Sequence, residues 1–302
     1  LVSFYRPKKK RYKIIIEKGA FPSDQYAVES QLEFHGYDKK DALIEIEPIE
    51  GKEVIDGEEI LNILKKNGSE TALIYLGGIN YFSGQLFDMK SITKSAKKYG
   101  VTVGFNLAHC AGNVELFLHK WGVDFASWCT YKYLCAGPGS PSGIFVHENH
   151  HNWMGPRFTG WWGHNKKDRF EMPPKFNPIK TAEGWQISNA PIMGMAPLIA
   201  SMNLYDSASM EKVRKKGIRL TAYLEFLLNT FLPEIIIITP EKKGSQISIK
   251  VKNGKSLFND IIQKGLICDW REPNVIRLAP HPLFNSYEEV YRAIMLIKSV
   301  YK

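Results

Sequence analysis

The sequence predicts an α/β fold: a mainly parallel sheet with helices on both faces, followed by a smaller C-terminal α+β domain. Three observations carry this. Over roughly residues 12–147, short apolar runs alternate with segments of helical period, the pattern of parallel strands joined by helical crossovers. From Glu148 to Ser188 the periodicity stops, and Trp, Gly, Pro and His accumulate, as in Trp161-Trp162-Gly163-His164. Past residue 200, helices group with a few short strands.

Taken in order, the apolar run Tyr12–Glu17 is a strand and Asp24–Phe34 a helix. Ala42–Ile46 is the next strand, and the helix from Gly57 to Lys66 follows Asp56 and Glu59, which stand at capping-box spacing. Strand Ala72–Leu76, helix Met89–Tyr99 and strand Val101–Phe105 continue the alternation. Helix Val114–Trp121 and strands Phe125–Cys129 and Gly143–His147 complete it. The irregular stretch after that is long for a compact chain, and such loops are more often functional than idle. A long helix covers Ser209–Phe231, with Leu220, Leu224 and Leu227 at helical spacing. Strands Ile235–Ile238 and Gln246–Val251, helix Leu257–Lys264 and strand Val275–Leu278 come next. The last helix opens at a second capping box, Ser286 with Glu289. The expected division is a large domain over residues 1–200 and a small one over 201–302.

A chain of 302 residues, 44% hydrophobic and 24% charged, can bury a core without disulfide staples. Its four cysteines, Cys110, Cys129, Cys135 and Cys268, show neither a CxxC pair nor metal-ligand spacing, so a reduced, cytoplasmic setting is expected. No apolar run reaches the roughly 18 to 20 residues of a membrane span, and no membrane association is expected. The net charge of +9 suits a phosphorylated cofactor or a carboxylate substrate as well as a polyanion. Lys8-Lys9-Lys10-Arg11 reads as a solvated turn before a strand. With no nucleic-acid-binding signature in the chain, no nucleic-acid partner is expected. The opening Leu1-Val2-Ser3-Phe4-Tyr5 has no charged region before an apolar one, so no signal peptide is expected; it looks like the middle of an element.

Two constellations could carry chemistry. Lys132 lies in Trp128-Cys129-Thr130-Tyr131-Lys132-Tyr133, at the end of an apolar strand, with Gly137 and Gly139 behind it. Alone, such a lysine is expected to snorkel to the surface; desolvated, its amine is suited to Schiff-base chemistry. Asn106-Leu107-Ala108-His109-Cys110-Ala111-Gly112-Asn113 also follows a strand directly, where ligands bind in open α/β sheets. Alone, His109 reads as a buried imidazole satisfied by a carbonyl.

Together the two constellations resemble the kynureninase family of fold type I pyridoxal-phosphate enzymes. The family pattern Asp-x-Ala-His-x-x-Gly-Asn, then Trp-x-x-Tyr-Lys-Tyr, is similar to Asn106–Asn113 and Trp128–Tyr133. Phe21-Pro22-Ser23-Asp24, Tyr81-Phe82-Ser83-Gly84-Gln85, Gly160-Trp161-Trp162-Gly163-His164, Ile187-Ser188-Asn189 and Ile276-Arg277-Leu278-Ala279-Pro280 are similar to further family blocks. The resemblance implies pyridoxal 5'-phosphate as cofactor and hydrolysis of L-kynurenine or 3-hydroxykynurenine, giving anthranilate or 3-hydroxyanthranilate and L-alanine. It implies that Lys132 carries the cofactor and shuttles a proton, and that Tyr131 contacts the phosphate and acts as an acid. Cofactor contacts would come from Phe21, Asp24, Gly77, Asn106, His109, Trp161 and Asn189. Arg277 would grip the substrate carboxylate. Trp161 and Asn189 would also face the substrate's aromatic ring, from the other subunit of a homodimer with shared sites.

The chain departs from the family at three places. Asn106 stands where the family has the aspartate that pairs with the pyridinium nitrogen. Gly77 stands where it has a phosphate-contacting serine, and the family's front segment with its phosphate-binding Leu-Thr pair is expected to precede Leu1. These departures leave a catalytically impaired or non-enzymatic relative as the alternative reading.

Overall fold

The computed structural model describes residues 1–252 and 254–301; Asn253 and Lys302 lie outside the described residues. Strand β1 (Lys13–Glu17) shows how the sheet acquires two covered faces. Side chains alternate across a strand. Ile14 and Ile16 therefore enter a cluster with Val28 and Leu32 of α1 (Pro22–Phe34) and Ala42 of α2 (Lys39–Ala42). Ile15 points the other way, into a cluster with Ile60 and Leu64 of α3 (Gly57–Asn67) and Ile92 and Ala96 of α4 (Met89–Lys98). Each such side chain, fully buried, stabilises the fold by about 1.5–3 kcal/mol.

β2 (Leu43–Ile46), β3 (Thr71–Gly77), β4 (Thr102–Asn106), β5 (Phe125–Trp128) and β6 (Gly143–Val146) complete a six-stranded sheet in the order β2-β1-β3-β4-β5-β6. Every pairing is parallel except β5 with β6. The predicted class is therefore observed, and the predicted strands and helices recur with ends shifted by a residue or two.

Three local expectations needed correction. The helix predicted over Val114–Trp121 shrinks to α5 (Leu118–Trp121), because the preceding residues form a turn in which the Asn113 amide donates to the His109 carbonyl at 2.9 Å. Gly122 ends α5 at φ 76°, a conformation that favours glycine. At α3, Asp56 caps the Glu58 N–H rather than forming a box with Glu59, whereas the Ser286–Glu289 box is fully formed at α9 (Tyr287–Val300). Residues 148–188 hold only four short 3-10 turns. They lead into α6 (Ile192–Ala208), which the sequence reading missed. Its apolar residues show no one-sided stripe, and Ile192 and Met193 are exposed while Ser201 and Tyr205 are buried. An amphipathic period therefore gave no signal.

α7 (Met210–Phe231), α8 (Gly254–Gln263) and α9 pack on a second sheet of β7 (Ile236–Ile237), β8 (Ile247–Lys250), β9 (Asp269–Arg271) and β10 (Val275–Leu278), ordered β7-β8-β10-β9. Its core is a separate cluster that includes Leu224, Ile249, Ile276 and Ile294. Side-chain amides tie this unit to the first. Asn113 accepts from the Ser245 N–H at 3.0 Å, and Gln246 donates to the Tyr81 carbonyl at 3.1 Å. These ties bring β10 to the carboxyl ends of the first sheet's strands.

Candidate active site

Neighbouring parallel strands end side by side, so their last residues form a row. Glu17 ends β1, Gly77 ends β3 and Asn106 ends β4, with Gly77 paired to Asn106 and Asn106 to Ser127 in register. Above this row lies a cavity of about 250 Å³ lined by Phe21, Asp24, Gly77, Asn106, His109, Tyr131 and Lys132 together. Seven of the ten site residues expected from sequence thus meet in one place.

Asp24 comes from the first turn of α1, which Pro22 starts. Its Oδ2 accepts from the Asn106 amide at 2.7 Å, while the Ala108 N–H holds the other end of that amide at 2.9 Å. Asn106 is therefore oriented by both its neighbours. Burial raises the Asp24 carboxyl above its usual range, opposed by the Asn106 hydrogen bond and the Lys132 charge.

Lys132 stands in the loop after β5. Thr130 closes that loop, donating to the Pro141 carbonyl at 2.6 Å and accepting from the Ala136 N–H through its own carbonyl at 3.1 Å. The amine lies 5.7 Å from the centre of the Phe21 ring. Burial lowers its pKa, and the nearby charges of Arg277 and Arg271 push it the same way. Tyr131 is half exposed, and the neighbouring Cys129 thiol raises its phenol, which stays protonated.

His109 is buried and pushed down to about 3, first by burial and then by the charges of Lys132, Arg277 and Arg271. It is a neutral imidazole, and its Nδ1 is buried without a partner. Arg277, on β10, donates to the Tyr81 carbonyl and to Asp269 of β9, each at 2.5 Å, and its Nε is also buried without a partner. Orphaned buried polar atoms are rare enough to call for an explanation. His109 lines the cavity, and Arg277 is tied to its wall through the Tyr81 carbonyl.

Arg277, Trp161 and Asn189 do not line the cavity. The Trp161 indole donates to the Arg169 carbonyl at 3.1 Å, and Asn189 is exposed. Three residues escaped the sequence reading. Glu17 closes an apolar strand with a charged residue at the end where ligands bind, a signal that was available. Asp269 and Arg271 lie on β9, a strand of three residues with no apolar run to mark it.

A family profile described as the kynureninase C-terminal domain matches residues 213–297. Over 99% of its length the chain is 51% identical to a kynureninase of Flavobacterium psychrophilum, covering 72% of that protein, and 51% identical to one of Myxococcus xanthus, covering 71%. It is 44% identical to the kynureninase of Homo sapiens, covering 67% of it. Among solved structures, the cystine C-S lyase C-DES in complex with its product cysteine persulfide superposes with a TM-score of 0.80 at 15% identity, over 98% of this chain and 78% of that one. The apo cysteine desulfurase of Thermococcus onnurineus gives 0.75 at 17%, over 97% and 73%. A further C-DES structure holds glycine linked to its pyridoxal-phosphate cofactor. The fold is thus that of fold type I pyridoxal-phosphate enzymes, and by its sequence the chain belongs to the kynureninase family.

Proposed function

We propose that this cavity performs the pyridoxal-phosphate-dependent hydrolysis of L-kynurenine or 3-hydroxykynurenine, releasing anthranilate or 3-hydroxyanthranilate and L-alanine. The observation that carries the reading is the meeting of a desolvated lysine with an aromatic face, a carboxyl–amide pair and a neutral imidazole in one cavity. These groups fit the cofactor. Phe21 offers a flat face to the ring, Asp24 and Asn106 offer polar contacts at its edge, and the free Nδ1 of His109 is an atom in need of a partner. When bound, the cofactor supplies the electron sink that makes the substrate's Cα acidic.

The remaining work falls to residues of this chain. Lys132 would hold the cofactor and move the proton at the substrate's Cα. Its lowered pKa suits a base working near neutrality. Arg277 holds the substrate α-carboxylate with its planar fork. Tyr131, protonated, contacts the phosphate and donates a proton to Cβ as the Cβ–Cγ bond breaks, after water has added to the γ-carbonyl. Gly77 stands in the wall against which the cofactor would lie. Trp161 and Asn189 read the aromatic ring from the partner subunit of a homodimer, which accounts for their place outside this chain's own cavity. We keep the division into residues 1–200 and 201–302, supported by the separate cores, and a cytoplasmic location. Among the described residues, no helix is long and apolar enough to cross a membrane. The impaired or non-enzymatic alternative is not favoured by relatives that carry the name kynureninase at 44–51% identity.

The test is direct. After incubation with pyridoxal phosphate and reduction with borohydride, peptide mapping should find the adduct on Lys132, and the unreduced protein should release anthranilate from L-kynurenine. Lys132→Ala should lose both. An adduct elsewhere, or turnover that survives in Lys132→Ala, would overturn the assignment.

A further inference from the structure

Glu17 takes no part in the reaction described above, yet it ends β1 in the cavity wall and is only 4% exposed. Its carboxyl oxygens accept the Gly77 N–H at 3.1 and 3.2 Å. Among the described residues no lysine, arginine or histidine reaches it at ion-pair distance. A Cβ on residue 77 would stand 3.0 Å from Glu17 Oε1. The absent side chain of Gly77 is therefore the space in which the carboxyl lies.

The charged group facing Glu17 is Asp24, from α1, in the same cavity. Two carboxyl groups in one buried pocket do not both ionise unless each has support. Asp24 has it, from the Asn106 amide at 2.7 Å and the Lys132 charge. Glu17 has only backbone N–H groups, that of Gly77 and its own, and no charge of opposite sign. Tyr75, buried on β3, faces both carboxyls and is raised first by burial, then by Asp24, so it stays a neutral phenol.

We infer that Glu17 and Asp24 form a one-proton carboxyl pair in which Glu17 holds the proton and keeps Asp24 anionic, so that this pair, not residue 106, presents negative charge to the cofactor's heterocycle. Glu17 is thus a positioning residue acting through Asp24, and the inference rests on the reading above that Asp24 faces the cofactor. Burial, reinforced by Asp24, lifts Glu17 to about 8, in keeping with a proton retained at neutral pH. The pair also gives Asn106 a use. Its amide donates to Asp24, where an aspartate would set a third carboxyl in the cluster.

The experiment uses the full chain with and without pyridoxal phosphate. Infrared spectra of chains grown with carbon-13 glutamate or carbon-13 aspartate should show a protonated-carboxyl band at neutral pH. That band should move with the glutamate label only and vanish as pH rises through about 8. Glu17→Gln should lack it; if that variant does not fold, the labels decide in the unmodified chain. In the loaded protein, the visible band should titrate with an additional alkaline step that Glu17→Gln loses. A band that follows the aspartate label, no such band at neutral pH, or identical visible titrations in the two proteins would overturn the inference. A glutamate band in a chain that takes up no pyridoxal phosphate would leave the proton on Glu17 supported, while overturning the cofactor reading and the role given to the pair.

Discussion

The cavity wall and the patch of the second sheet behind Tyr81 are built differently. In the wall, around Asp24 and Asn106, the polar groups sit on adjacent strand ends and the helix beside them, and both ends of the Asn106 amide are occupied. In the patch, around Arg277, the groups come from the second sheet, where register pairs Arg277 with Asp269. There the guanidinium is buried but its Nε has no partner, and Arg271 Nε is in the same state. A buried donor left unpaired costs about 1–3 kcal/mol. The first group is complete without a ligand. On the function proposed above, the second would be finished when a carboxylate arrives, and substrate binding would recover free energy that the free protein lacks. On that proposal, one group sets the reactivity of the cofactor and the other recognises the substrate.

Asp24→Asn breaks the finished group most severely. It leaves two amides and no anion where the carboxyl–amide pair stood. Single-turnover cleavage of L-kynurenine at saturating cofactor should slow by about 10²–10³, the scale for losing one preorganised electrostatic stabiliser. An unchanged rate would show that charge in this group does not govern the chemistry.

Arg277→Lys attacks the unfinished group. The charge stays but the fork goes, at a cost of about 1.5–3 kcal/mol for hydrogen bonds to a charged group. KM for kynurenine should rise roughly 10- to 100-fold, while cofactor uptake, measured by absorbance, should not change. A variant that also loses the cofactor would mean that the two groups are not separable.

A third measurement sharpens the contrast through stability. Glu17 has its folded pKa raised from 4.5 to about 8, so the folded chain keeps a proton that the unfolded chain releases. Its contribution to stability is fully present below the unfolded value and is lost as pH rises through the folded one. Between these values stability should fall with a slope of up to about 1.4 kcal/mol per pH unit from this group alone. Glu17→Gln should remove that slope from urea midpoints measured across the window. His109, pushed down from 6.5 to about 3, adds a slope of opposite sign below its ordinary value, because there the unfolded chain binds a proton that the folded chain does not; the difference between the two proteins isolates the Glu17 part.

The smallest effect is expected from Asp269→Asn. Asp269 shares Arg277 with any incoming carboxylate, and its side chain is 43% exposed, so solvent screens the pair. Removing its charge should lower KM a few-fold, measured at constant cofactor. A rise instead would mean that Asp269 orients the fork rather than competing for it.

Much of this was legible in the chain. Alternating isoleucines in β1, the apolar strand β3 and the amphipathic α3 and α7 state their faces in a period of two or 3.6, because burial there depends on nearest neighbours along the chain. Asn106, His109 and Lys132 were legible at strand ends, which parallel strands bring together, and Phe21 and Asp24 joined them through the family resemblance. α6 was not, because its helix shows no one-sided apolar stripe. β9 was not, because three residues joined to a neighbour by register leave no local period.

By itself, then, the sequence determined which segments become strands and helices, and which side chains reach the carboxyl edge of the sheet. Only the tertiary structure decided which polar groups face one another there. It set the Asn106 amide against Asp24 rather than open space, put Glu17 into the room left by Gly77, and carried Arg277 over from a second sheet. The physical reason is range. Periodicity records contacts between residues a few positions apart, whereas hydrogen bonds such as Asn106 to Asp24, 82 positions apart, and Arg277 to Tyr81, 196 apart, form only once the sheets have closed.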